Sequence, residues 1–208
     1  SRGTIPLQIA GNVKHGGLYE IAFGLTLGEI VDKIGGGTAS GRPVKAVQVG
    51  GPSGVCLSAS EFGRRIGFED VPTAGAFMVF SRARDMFDVA CNFAQFFAHE
   101  CCGFCTPCRV GTELVVRRLD KIKRGYGSSE DIQVLYELDK LMHGTTHCGL
   151  GAAACNPLHD TIAKFRPAYE RHLQSLHFAP GFDMDAELSQ ARRATGRDDR
   201  GAHLETLA

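Results

Sequence analysis

The stretch His99-Glu-Cys-Cys-Gly-Phe-Cys-Thr-Pro-Cys-Arg-Val-Gly111 sets four cysteines, Cys101, Cys102, Cys105 and Cys108, within eight residues. Three of them, at two-residue gaps, cannot all leave a regular helix on one side, so they suit a loop wrapped around a small object. Pro107 is tolerated in a first helical turn, which places the start of a helix there. That helix uses Val110, Leu114, Val115, Leu119 and Ile122 and ends before Arg124-Gly-Tyr-Gly-Ser-Ser129. The sequence before the loop is also helical. Asp85–Glu100 carries Met86, Val89, Ala90, Phe93, Phe96 and Phe97 at three- and four-residue spacing, an apolar stripe most simply explained as core.

Two further helices follow. One is capped by Ser128 or Ser129, with Ile132, Leu135, Leu138, Leu141 and Met142 inside. The other opens at Asn156-Pro157, an N-cap and first-turn pair, and buries Leu158, Ile162 and Phe165. Short connections between helices of this length favour an antiparallel four-helix bundle.

Before Phe80 the texture is that of strands. Pro6–Gly24 contains two strand-like runs joined by a turn with Gly16-Gly17. Thr26 and Glu29 fit a capping box that opens a short helix with Leu27, Ile30, Val31 and Ile34 on one face, stopped at Gly35-Gly36-Gly37. Val44–Gly51 and Gly75–Phe80 supply further strands, with Val49–Gly54 a turn at a strand end. The expected class is α+β: an N-terminal ubiquitin-like β-grasp domain over residues 1–70, a linker strand over 71–84, the helical bundle over 85–175 and a tail over 176–208. Within the tail, Asp185–Ala194 is the one helical segment expected.

Bulk properties narrow the function. The chain has 208 residues, with Lys plus Arg and Asp plus Glu both totalling 23. No basic excess exists to drive binding along a phosphate backbone, so nucleic acid is not an expected partner. The longest charge-free run, Leu141–His159, holds three histidines, glycines and a proline and is no membrane span. A soluble protein without direct membrane insertion is expected. The start, Ser1-Arg-Gly-Thr-Ile-Pro-Leu, has no signal-peptide pattern and reads as a fragment or processed chain.

Eight cysteines in a chain of this length, half of them clustered, point to a reducing compartment and a metal rather than a disulfide scaffold. Cys148 lies forty residues beyond Cys108 and follows the third expected helix. A compact thiolate triplet plus a distant cysteine is a recurrent way to hold [4Fe–4S], which assigns Cys102, Cys105, Cys108 and Cys148 as ligands. The helix start at Pro107–Arg109 favours the cluster's negative charge. The competing assignment is a four-cysteine zinc site in a structural or interaction module. Zinc sites usually pair two Cys-x-x-Cys knuckles, so a contiguous triplet leans toward the cluster. Cys101 is read as a small-residue position or a spare sulfur, and Cys56, Cys91 and Cys155 as packing. His147 is an ordinary loop histidine or a donor to sulfur, and Arg109 either tunes the cluster or faces solvent. No phosphate loop, dinucleotide fingerprint or hydrolytic triad is present.

His99–Glu113, then Cys148–Leu158 and Lys164–Glu170, closely resemble the iron–sulfur end of the NADH-oxidising flavoprotein subunit of respiratory complex I. The same module occurs in NAD-reducing hydrogenases and NAD-dependent formate dehydrogenases. The family pattern, Glu-Ser-Cys-Gly-x-Cys-x-Pro-Cys-Arg followed by Cys-x-Leu-Gly, is kept here except that Cys101 replaces the serine. The resemblance implies the same four ligands, and extends to the soluble-ligand-binding β-grasp over Ala10–Val31 and Ala46–Gly54. It implies an electron-transfer half that relays electrons from flavin to clusters on an iron–sulfur small subunit, within a cytoplasmic complex at most peripheral to the membrane. FMN and NAD are expected only in an N-terminal domain that these residues do not contain.

Overall fold

The computed structural model describes residues 1–173 and 184–197. Ser1–Leu173 form one compact unit. The segment 184–197 belongs to a second and carries the helix Met184–Thr195, against the expected Asp185–Ala194. The remaining tail expectations lie outside the described residues.

Five strands make one mixed sheet: β1 Thr4–Gly11, β2 Gly17–Ala22, β3 Val44–Val49, β4 Val55–Ser58 and β5 Ala76–Ser81. Their order is β2-β1-β5-β3-β4, with β1 and β5 parallel and the other pairs antiparallel. β4 was not anticipated. The turn read at Val49–Gly54 is the hairpin that leads into it. A short helix α1, Leu27–Glu29, continues as a π-helical stretch Ile30–Ile34. Its capping box forms as expected: the Thr26 hydroxyl accepts from the Glu29 amide at 3.2 Å, and the Glu29 carboxylate accepts from the Thr26 amide at 3.0 Å.

Alternation along the strands gives the sheet two apolar faces. Leu7, Ile9, Val47, Val49, Phe77 and Val79 bury against Leu27, Ile30 and Val31 of α1 and its continuation. The opposite face presents Ala46, Cys56 and Phe80, which bury against Met86 and Phe93 of α2, Met86–Glu100. A sheet apolar on both sides needs a second layer, and α2 supplies it.

The other helices in this unit are α3 Thr106–Lys121, α4 Ser129–Thr145, α5 Gly149–Ala153, α6 Asn156–Lys164 and α7 Arg166–Glu170. Phe87, Phe97, Val115, Leu119, Ile132, Leu135, Met142, Leu158, Ile162 and Tyr169 form their common core. α3 and α4 run antiparallel. Near one end of the pair a Cβ on Gly111 would lie 2.6 Å from Met142 Sδ, while near the other Arg118 meets Asp131. This close approach sets the rotation of α3 and corrects its expected face. Val110 and Leu114 are 44% and 42% exposed, and the buried side is Cys108, Gly111, Thr112, Val115 and Leu119. Phe96 of α2 and Leu141 of α4 also lie exposed rather than inside.

α6 closes the open edge of the sheet. The Asp160 carboxylate accepts from the Cys56 amide at 2.7 Å, and Lys164 Nζ donates to the Cys56 carbonyl at 2.6 Å. An edge strand otherwise leaves these groups to water or another chain. Asn156 is not the cap expected. It occupies the first helical residue, and its side-chain amide donates to the Ser53 carbonyl at 2.8 Å.

Candidate metal centre

α2 ends at Glu100, and Cys101 takes an extended conformation that turns the chain out of the helix. The reversal passes through Gly103 at φ +78, a left-handed conformation costly for any residue with a Cβ. Cys105 then stands at the N-cap of α3, with Pro107 in the first turn. Cys102 is exposed, Cys105 half-buried, and Cys108 buried inside the first turn. Each of the triplet thus leaves a different kind of backbone: turn, cap and helix. Arg109 clips this loop shut, donating to the Gly103 carbonyl at 2.6 Å and reaching the Thr106 hydroxyl at 3.5 Å. The Thr112 hydroxyl holds the Cys108 carbonyl at 2.9 Å, one turn along.

Because α3 and α4 are antiparallel, the end of α4 returns beside the start of α3 and delivers Thr146-His-Cys148. The phenyl ring of Phe104 and the imidazole of His147 sit 5.5 Å apart. The His147 backbone amide donates to the Cys105 sulfur. That bond, then one from Cys108 and the charge of Arg109, lowers the Cys105 pKa. Cys148 is exposed at the N-cap of α5. The stretch after it, Gly149–Ala153, is a helical turn. Gly151 is needed there because a Cβ would come within 2.7 Å of Thr146.

Cys108 behaves oppositely to Cys105. Burial, then the neighbouring Cys101 thiol and the charges of Cys105 and Cys148, push its pKa up to about 12. The structure therefore gathers Cys105, Cys108 and Cys148 into one electrostatic neighbourhood, with Cys102 exposed on the same loop. It also shows a contact the sequence did not reveal: Cys101 Sγ lies 3.3 Å from Cys108 Sγ. Cys56, Cys91 and Cys155 are buried elsewhere, each with its pKa pushed to about 12, first by burial.

The donor set fits a cluster. Two loops present soft thiols at the positive start of a sixteen-residue helix, beside a guanidinium and donating amides. Among the described residues, no three His, Cys, Asp or Glu side chains are arranged to hold one ion. Nor, among those residues, is any helix long and apolar enough to cross a membrane.

Residues 88–172 match the family described as the NADH-ubiquinone oxidoreductase-F iron-sulfur binding region. The NAD-reducing hydrogenase HoxS subunit alpha of Cupriavidus necator is 34% identical over 197 residues, covering 93% of this chain and 32% of that protein. A subunit of the NADH-quinone oxidoreductase of Escherichia coli is 34% identical over 175 residues, covering 81% of this chain and 39% of that protein. A crystal structure of the NAD+-reducing [NiFe]-hydrogenase in its H2-reduced state superposes with a TM-score of 0.76 at 43% identity, covering 97% of this chain and 35% of that one. The chain spans about a third of the length of these relatives.

Proposed function

Since the chain belongs, through residues 88–172, to the NADH-ubiquinone oxidoreductase-F iron–sulfur binding family, we propose that it is the electron-relay part of an NAD-linked oxidoreductase. The observation that carries this is the corner where the loop bearing Cys102, Cys105 and Cys108 is clipped by Arg109 at the start of α3, and where Phe104 packs on His147, the neighbour of Cys148. The group held there is a [4Fe–4S] cluster, and its ligands in our reading are Cys102, Cys105, Cys108 and Cys148. When bound, the cluster supplies one-electron transfer at a potential set by burial, charge and hydrogen bonds to sulfur. The chain's own part is to hold four thiolates, to donate an amide at Cys105 and to keep Arg109 at the rim.

The strand order β2-β1-β5-β3-β4, with α1 packed on one face, supports a ubiquitin-like β-grasp domain, but one that runs past residue 70, because β5 from the expected linker stretch is its central strand, paired with β1 and β3. The core shared by α2, α3, α4 and α6 supports an antiparallel four-helix bundle over 85–175. Electrons reach this module from FMN reduced by NADH and leave to an iron–sulfur subunit of a hydrogenase, formate dehydrogenase or complex I type of assembly. The hydride step belongs to residues outside these 208. The module is cytoplasmic and acts without entering a membrane.

Anaerobic reconstitution with iron and sulfide tests this. The expected product is brown, contains iron and acid-labile sulfide in equal cluster-level amounts, and gives a paramagnetic signal on reduction. Stoichiometric zinc with no labile sulfide would overturn it in favour of a structural zinc module. Rapid dye reduction by NADH in this chain alone would show instead that the hydride chemistry had been misplaced.

A further inference from the structure

The proposed ligand set leaves one sulfur of the corner without a task, and that sulfur touches a ligand. Cys101 Sγ and Cys108 Sγ are 3.3 Å apart, nearer than two sulfurs sharing one tetrahedral ion. Cys101 closes α2 and Cys108 lies in the first turn of α3, so the contact spans the whole loop that carries Cys102 and Cys105. The Gly103 amide donates to Cys101 Sγ at 3.4 Å and holds it in place.

We propose that Cys101 and Cys108 are a modification site: in the cluster-free chain they join in a reversible disulfide that withholds Cys108 from the cluster. Bond formation needs the sulfurs to close from 3.3 Å to about 2.05 Å. The oxidant is a low-molecular-weight disulfide of the glutathione class. Half-buried Cys101 exchanges with it first, breaking the external S–S bond and releasing one small thiol. The Cys108 thiol, giving its proton to the departing sulfur as the new bond forms, then attacks Cys101 and releases the second small thiol. Two protein thiols lose two electrons, the external disulfide gains them, and the two protons leave on the released thiols. A dithiol reverses each step. Only the consequence for loading rests on Cys108 being a ligand; the bond itself does not.

The test uses the full chain, stripped of cluster by a chelator and exposed anaerobically to oxidised glutathione. Remaining thiols are alkylated and the digested peptides sequenced by mass spectrometry. The expected result is a Cys101–Cys108 cross-link, removed by dithiothreitol. In parallel, the oxidised chain should take up iron and sulfide to less than about a tenth of the reduced chain's extent and recover with dithiothreitol. Cys101→Ser should load as well after the oxidant as before it, with an unchanged visible spectrum. A dominant Cys102–Cys105 bond, glutathione retained on Cys101 beside an alkylated Cys108, or a Cys101→Ser chain blocked like the wild type would each overturn the proposal. Failure of the never-oxidised wild type to load would instead count against the cluster reading, and the cross-link map would still decide the disulfide.

Discussion

The two ends of the α3–α4 hairpin are built in opposite ways. At the turn end Asp131 is 1% exposed, yet every demand of its carboxylate is met within the chain. Arg118 donates at 2.6 Å, Lys121 at 2.9 Å, and the Ser128 amide at 2.7 Å, the last being half of a capping box. Burial pushes the Asp131 pKa up, but Lys121, Arg118 and Ser128 outweigh it and bring it to about 2. At the other end the Gly103 amide donates to Cys101 Sγ, Arg109 donates to the Gly103 carbonyl, and a backbone amide from His147 lowers the Cys105 pKa. What they surround is thiols, which as neutral groups make weak use of them. One end is an electrostatic arrangement completed by the chain itself. The other gathers thiols, one held from ionisation by burial and one eased toward it by backbone amides, and our reading assigns their completion to a bound cluster.

The largest contrast should come from removing a sulfur. Cys148→Ala should lose the [4Fe–4S] spectrum, or convert it to a cluster with fewer irons, while the cluster-free fold keeps its circular dichroism, because Cys148 is exposed. A variant that loads normally would remove Cys148 from the ligand set. Next in size is Asp131→Ala, which should lower stability by roughly 2–3 kcal/mol near pH 7, read by urea denaturation, without preventing loading. The half-exposed partners Arg118 and Lys121 regain water, which keeps the loss below that of a fully buried pair. A depressed carboxylate pKa stabilises above its unfolded value near 3.9 and ceases to do so as pH falls through its folded value. The gap between wild type and variant should therefore be full above about pH 5 and shrink toward pH 2. A gap independent of pH would mean that packing, and not charge, explains Asp131.

Features encoded within a few residues were legible in advance. The Thr26–Glu29 box and the cap at Ser128 depend on contacts three residues apart, the stop after Ile34 on ones five and six apart, and all three appear. The cysteine triplet was visible for the same reason. Strand β4 was not, since four residues carry little alternation and its edge is completed by Asp160 and Lys164 from over a hundred residues away. On α3, Val115 and Leu119 are buried as expected, as is Ile122 just beyond it, but Val110 and Leu114 are not, although they fit a helical period as well as the true side does. The packed side is the one where Gly111 lies against Met142 and Val115 and Leu119 enter the core. Asn156 looked like a cap because its residue type is right, but its amide had a better partner in the Ser53 carbonyl. The Cys101–Cys108 contact depends on how one helix ends and another begins, which spacing alone does not report.

Cys155 offers the finest test of the difference between the two ends, because it lies only seven residues beyond Cys148 and could be mistaken for the fourth ligand. The structure puts it on the other side of that distinction. It is 2% exposed, its sulfur sits 4.0 Å from Met142 Sδ, and Ala94, Phe97, Thr112, Val115 and Ala154 surround it. Burial keeps it a thiol. A buried cysteine of this kind behaves as a small hydrophobe. Cys155→Ala removes one heavy atom from a close-packed wall, so the expected cost is about 1 kcal/mol, seen as a small drop in the denaturation midpoint. Iron, sulfide and visible spectrum should match the wild type. Loss of the cluster in this variant but not in Cys148→Ala would exchange the two residues' roles and place the fourth ligand in the helical core.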